Sequence, residues 1–346
     1  YQLPITTHYS LLTTHYSLVS AVIPPLLPLI YYYRRAIAKP PFFSLLLCFG
    51  WGMLSGSAAL GLEWIFEHFV SQWEYWQRMT RTLAGVAVRQ LIVIAPIEEG
   101  CKLAGIFTFR LLVRRRGDGR SPATAIFIQT IAIALGFTAQ ENWVYLSNGV
   151  ATALERAIGT PIHATFSTAF GYTLATRTRR IRETRKRRER ILHPTHHSPL
   201  PIPSFINAVT CHALVNIFSS AWRYNPPLNF FSYLLFPFLL WLFWRMEGWW
   251  RQVQHQPPIV LISGITSIHR HWQRGLVLFA LMLGGNAFFG FFLLVRTLSP
   301  LHPNQMLEPA IFWSIATRLL LNLIPGLIAW GIYRYLRFAA SRRNLR

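Results

Sequence analysis

Nine stretches of this chain are apolar for long enough to cross a bilayer, and that property restricts the fold more than any other. A spanning helix needs about 20 mostly apolar residues, and candidates lie near 17–33, 41–62, 83–109, 123–147, 150–175, 202–222, 228–246, 275–298 and 309–333. Only helices and closed barrels satisfy every backbone polar group in lipid. The sequence therefore predicts an all-α, polytopic transmembrane helix bundle of about nine spanning helices. Pro24, Pro25 and Pro28 interrupt the first candidate, which lipid tolerates better than water does.

The composition excludes a soluble globule, because 52% of residues are hydrophobic and only 13% are charged. The net charge of +22 would suit nucleic acid if it were gathered on one domain, but it is not. Lys and Arg cluster after the first, third, fifth, seventh and ninth spans, for example at Arg34, Arg35 and Lys39, and again at Arg334 to Arg346. Basic loops mark the cytoplasmic side, so the N-terminus is expected outside and the C-terminus in the cytoplasm, with the lipid bilayer and not nucleic acid as the partner. The run Arg177 to Arg190 reads as a topology anchor against anionic lipid. Cys48, Cys101 and Cys211 fall inside apolar runs without framework spacing.

The heptad TTHYSLL at residues 6–12 recurs almost unchanged at 13–19. It is too short to build a repeat architecture, so residues 1–16 are expected to be a disordered polar leader. A membrane domain at 17–246 and a C-terminal loop with two further spans at 247–346 complete the expected organisation.

Charge inside the spans is the functional signal, since an ionised side chain at mid-bilayer costs at least about 2.5–3.5 kcal/mol on insertion scales. The third span reads LIVIAPIEEGCKLAGIF, with Glu98, Glu99 and Lys102 among aliphatic residues. On a helix the ammonium reaches either carboxylate, which leaves one acid in excess. The fourth span carries Phe137 and Glu141, the fifth His163, and the sixth His212 and Asn216 one helical turn apart. Counted from the cytoplasmic anchors at about 1.5 Å per residue, these groups fall at depths that allow one cavity, with Glu141 on its outer side. Three carboxylates and two imidazoles on four successive spans (83–109, 123–147, 150–175 and 202–222), in a chain with 12 acidic residues, predict a functional polar site.

The ordered pattern E-E-x-x-K, then F-x-x-x-E, then two intramembrane histidines resembles the PrsW family of membrane proteases. That family is grouped with the CAAX-processing and bacteriocin-processing enzymes. The match runs over roughly residues 40 to 245 and leaves the last two spans outside. The resemblance implies a peptidase acting on membrane-anchored proteins, an anti-sigma factor or another regulatory single-span protein among them. Glu98, Glu99, Lys102, Glu141, His163, His212 and Asn216 would be its catalytic residues.

Peptide hydrolysis needs an activated water, a stabilised oxyanion and a proton for the leaving amine. Glu98 or Glu99 would be the general base, with Lys102 holding the other carboxylate ionised. His163 and His212, with Glu141 as the third ligand, would hold zinc or another divalent metal; alternatively they would donate directly to the oxyanion with no metal present. The helical H-E-x-x-H signature is absent. A proton-coupled or ion transporter is the first rival reading, because buried Glu and His chains also mark ion pathways, although the last four spans show no repeat of the motif. The second rival is a catalytically inactive membrane scaffold, which would be indifferent to loss of Glu98 and Glu99.

Overall fold

The computed structural model describes residues 5–115, 122–188, 202–257, 259–298, 301, 305 and 308–343. Among them every regular element is helical: α1 (Ile5–Arg35), α2 (Phe42–Val70), α3 (Glu74–Met79), α4 (Leu83–Arg89), α5 (Ala95–Arg115), α6 (Ala123–Ser147), α7 (Ala153–Arg188), α8 (Ile202–Ala221), α9 (Leu235–Val253), α10 (Ser267–Leu298) and α11 (Pro309–Arg343). A π-helical turn at Gln90–Ile94 joins α4 to α5, and a 3-10 segment at Leu228–Leu234 leads into α9. The expected all-helical membrane bundle is what forms.

Seven of these helices are long and apolar enough to cross a membrane: Tyr16–Arg35, Phe42–Val70, Ala123–Ser147, Ile202–Ala221, Leu228–Val253, Ser267–Leu298 and Pro309–Arg342. The two other expected spans, 83–109 and 150–175, are present as helices but fall short of that measure. One is interrupted by the π-turn and carries Glu98, Glu99 and Lys102, and the other continues into the basic run to Arg188. Two boundaries also move. Helix α1 begins at Ile5, so residues 5–16, expected as a disordered leader, extend the first helix. Helix α2 continues to Val70, which draws Glu63 and Glu67 out of the expected surface loop and onto a span.

The chain divides into two compact units. One comprises Tyr1–Asn216 with Trp249–Gln256, and the other Ile217–Gly248 with Pro257–Arg346. The divisions fall inside α8 and α9, so that the end of α9 belongs with the first unit. There Trp250 is fully buried and packs edge-on against Tyr32 at 5.4 Å.

Helix α6 is the axis of the first unit. Its most apolar window is 94% buried within protein, with α1, α2 and α7 packed around it. Glycine makes the closest of these crossings possible. A Cβ on Gly52 would stand 2.0 Å from the Ile133 carbonyl oxygen, and one on Gly136 would stand 1.9 Å from that of Phe49. The Gly52 and Gly56 pair therefore seats α2 on α6.

Between α4 and α5 the backbone widens into the π-turn just before Pro96. In a regular helix the proline ring collides with the carbonyl four residues earlier, here at Ile92, and the wider turn relieves that contact. Thr82 opens the preceding stretch, its hydroxyl accepting from the Gly85 amide at 3.0 Å.

Candidate functional site

Helix α5 carries three charges on one buried face. Lys102 Nζ donates to Glu99 Oε1 at 2.7 Å and to Glu98 Oε2 at 3.3 Å. Neither Lys102 nor Glu99 has any exposed surface. A buried ammonium persists only where its countercharges are at hand, and the one-turn spacing along α5 supplies both. The Phe137 ring of α6 closes over Nζ at 4.2 Å from its centroid, adding a cation–π contact in a dry setting.

Helices α7 and α8 bring one imidazole each. His212 Nδ1 lies 3.0 Å from Glu99 Oε1. In the tautomer whose Nδ1–H donates to that carboxylate, Nε2 is the lone-pair atom. That Nε2 is buried without a hydrogen-bond partner and stands 3.9 Å from Glu98 Oε2. Phe166 stacks on the His212 ring at 4.9 Å and fixes its plane. His163 is arranged the other way round: Nε2 lies 3.2 Å from Glu141 Oε2, while Nδ1 lies 3.9 Å from Glu98 Oε2 and 3.4 Å from Lys102 Nζ. Each ring thus presents one nitrogen to a flanking carboxylate and the other to Glu98.

Outside this core, Ser167 Oγ donates to Glu99 Oε2 at 3.3 Å. Arg156, near the start of α7, places Nη2 3.0 Å from Glu141 Oε2 and donates from Nε to Asn142 Oδ1 at 2.6 Å. Its guanidinium lies 4.5 Å over the Tyr145 ring. Asn142, itself fully buried, donates to Thr160 Oγ1 at 2.9 Å, which ties the arginine's anchor back to α7.

The donor set suits a divalent cation. One ligand atom each from Glu98, His163 and His212 lies within 4.8 Å of the others, and two neutral imidazoles with a carboxylate form a common zinc set that leaves a position for water. The sequence expectation put Glu141 in that trio; in the structure Glu141 Oε2 lies 3.2 Å from His163 Nε2, on the far side of the ring, and Glu98 is the carboxylate grouped with the two imidazoles. Glu98, Glu99, Lys102, Glu141, His163 and His212 form one connected cluster. Asn216, one turn beyond His212, instead donates at 2.9 Å to Gln90 Oε1 in the π-turn.

The sequence reading missed four residues. Arg156 had a signal, being a basic residue inside the expected span 150–175. Glu63, half-buried on α2, lies in the field of Glu98, Glu141, Arg89 and Lys102, but it was cut off with the outer loop because the hydropathy run ended before it. Ser167 and Gln90 gave no signal, since nothing in sequence separates them from other polar residues in spans. Arg89, at the end of α4, donates to Glu67 Oε1 at 2.6 Å.

No curated protein and no solved structure matches the chain significantly. A family model described as PrsW family intramembrane metalloprotease matches residues 40–242, and every clustered side chain named above falls inside that range. With more than half of its length matched and the E-E-x-x-K, F-x-x-x-E and histidine elements gathered around one buried point, the chain belongs to the PrsW family of intramembrane metalloproteases and is a multi-pass membrane peptidase.

Proposed function

We propose that the chain cleaves membrane-anchored proteins, of the single-span regulatory class to which anti-sigma factors belong, with Glu98, His163 and His212 holding a zinc or similar divalent ion. The observation that carries this reading is the paired arrangement of the two histidines. Each has one ring nitrogen against a carboxylate, Glu99 for His212 and Glu141 for His163, and the other 3.9 Å from the same oxygen of Glu98. Carboxylate-backed imidazoles converging on one point are the signature of a metal's outer shell. A divalent ion bound there supplies Lewis acidity to a water and to the scissile carbonyl.

The remaining steps belong to the side chains. Glu99 has both oxygens engaged, Oε1 by Lys102 and His212 and Oε2 by Ser167, so it orients His212 and balances Lys102. Glu141 is the most exposed carboxyl of the cluster, and its contacts with Arg156 and His163 both fall on Oε2. Its Oε1 is the oxygen offered to a water, and Glu141 takes the water's proton and returns it to the leaving amine. Lys102 supplies the countercharge that Glu98 and Glu99 share. Asn216, bonded to Gln90, fixes α8 against the π-turn and so sets the height of His212. The alternation of basic loops supports an N-terminus outside and a C-terminus in the cytoplasm.

The test compares membrane-protein N-termini in host cells expressing the wild type or Glu98→Gln, Glu99→Gln at matched levels, alongside metal analysis of purified wild type and His163→Ala, His212→Ala. New termini in single-span proteins with the wild type only, and near-stoichiometric zinc lost with the histidines, are expected. Active protein without bound metal would leave a glutamate-only mechanism. Identical termini would leave a transporter or a scaffold.

A further inference from the structure

The second compact unit contains a cavity of about 450 Å³ between α9, α10 and α11. Its wall is almost wholly apolar and includes Leu240 and Trp244 of α9, Ala280 and Phe288 of α10, and Ala329 and Trp330 of α11. The last two helices lie beyond the family match at 40–242, so the protease reading assigns them nothing.

Length and charge identify what the cavity takes. Helices α10 and α11 run antiparallel, with Gly284 against Ala329 and Gly326 against Ala287. Along α11 the lining extends from Gly326 to Leu336, about 15 Å at 1.5 Å per residue. That is half of a hydrocarbon core about 30 Å thick, the depth of one leaflet and hence of one acyl chain. The end of the cavity marked by Leu336 leads into basic residues. Exposed Arg334 lies 4.9 Å over the Trp330 ring, and exposed Arg337 donates to Tyr333 Oη at 3.4 Å; both aromatics line the cavity. Exposed Arg270 and Arg274 lie on the first turns of α10, at the same end of the antiparallel pair. A basic pocket between spans recognises an anionic headgroup.

We propose that this unit is a binding site for an anionic phospholipid, with one acyl chain in the α9–α10–α11 cavity and the phosphate at Arg334 and Arg337. An uncharged sterol or a protein segment would fill the apolar part but would not use the positive charge at its end. The leaflet bound is the one at the Arg334 and Arg337 end of α11.

Native mass spectrometry of the full chain, released from vesicles of equimolar dioleoyl-phosphatidylglycerol and dioleoyl-phosphatidylcholine, tests the proposal. One retained phosphatidylglycerol per chain, in clear excess over phosphatidylcholine, is expected. Arg334→Gln with Arg337→Gln should lower that preference by roughly fivefold for each arginine. Ala280→Phe, or Val277→Phe as an independent filling variant, should remove the retained lipid while the protein stays monodisperse. Equal retention of the two lipids would overturn the proposal. So would a phosphatidylglycerol preference that survives filling, since it would mark only a basic surface. Filling variants that leave lipid retention intact but slow substrate cleavage would assign the cavity to a protein segment instead.

Discussion

Replacing Arg156 by glutamine removes the guanidinium that lies against Glu141. Arg156 and Glu141 are 14% and 18% exposed, with 3.0 Å between Nη2 and Oε2, so the pair is mostly but not fully removed from water. Orphaning one partner of a fully buried pair costs about 3–5 kcal/mol, and screening at this partly wet site lowers the expected loss of stability to roughly 2 kcal/mol. Asn142 Oδ1 loses its donor at the same time. The functional effect travels along a chain of contacts from Arg156 to Glu141 to His163 Nε2, and loss of such an outer-shell contact lowers metal affinity or activity by about 10–100-fold. Zinc affinity measured by chelator competition, and cleavage of a reconstituted single-span substrate, should both fall in that range. Arg156→Lys restores the charge without the fork that serves Glu141 and Asn142 together, so it should recover part of the zinc affinity. A folded Arg156→Gln protein with zinc affinity and cleavage both within about twofold of wild type would refute the reasoning, because Glu141 would then hold His163 unaided.

Three further outcomes follow from the same contacts. Lys102→Met leaves Glu98 and Glu99 adjacent, buried and without their shared cation; a stability loss of about 3–5 kcal/mol is expected in detergent unfolding, partly restored by adding Glu99→Gln, and a thermal midpoint equal to wild type would contradict it. Gly136→Ala should destabilise strongly, since its methyl would stand 1.9 Å from the Phe49 carbonyl oxygen, whereas Gly50→Ala, with nothing within 4 Å, should be close to neutral; equal thermal shifts in the two would rule out close packing as the reason for Gly136. Glu98→Gln and Glu141→Gln should separate by metal content, the first losing bound zinc and the second still binding it, with affinity lowered about 10–100-fold, while cleavage stops even at saturating zinc. Zinc lost with Glu141 but kept without Glu98 would restore the sequence-based ligand set.

The membrane fold and most of the cluster were legible in sequence because both rest on cost. Apolar runs of span length and ionised residues inside them are each too expensive to arise without a structural answer. The assignment of carboxylates was not legible. Helical spacing puts Glu98, Glu99 and Lys102 on one helix, but which acid faces the histidines depends on how α5 is rotated against α7 and α8, and the π-turn at Gln90–Ile94 alters that rotation. Depth counting placed Glu141 on the outer side of the cavity, yet depth carries no information about azimuth, so its position behind His163 was beyond reach. Spans 83–109 and 150–175 were read by length, while the charges of the first and the Thr, Ser and His content of the second kept them below the measure the other seven meet. Glu63 was lost for a simpler reason: hydropathy ends a span at the first acidic residue, and the α2 backbone continues to Val70.

The burial of α6 bears on the order in which the bundle can assemble. A helix that ends almost enclosed by protein has no need of lipid-compatible side chains in its final setting, yet α6 is apolar enough to cross a membrane unaided. Insertion comes before packing, so its hydropathy records the route the helix took into the bilayer and not the surroundings it came to occupy. Helices α5 and α7 are in the opposite position, carrying the charges of the site on segments that do not reach the same measure. They become stable residents of the membrane once Phe137 and Glu141 of α6 meet Lys102 and His163. The contacts proposed to make the site reactive are thus also those that retain two of its four helices, and an early-inserting α6 is the template on which the rest of the site closes.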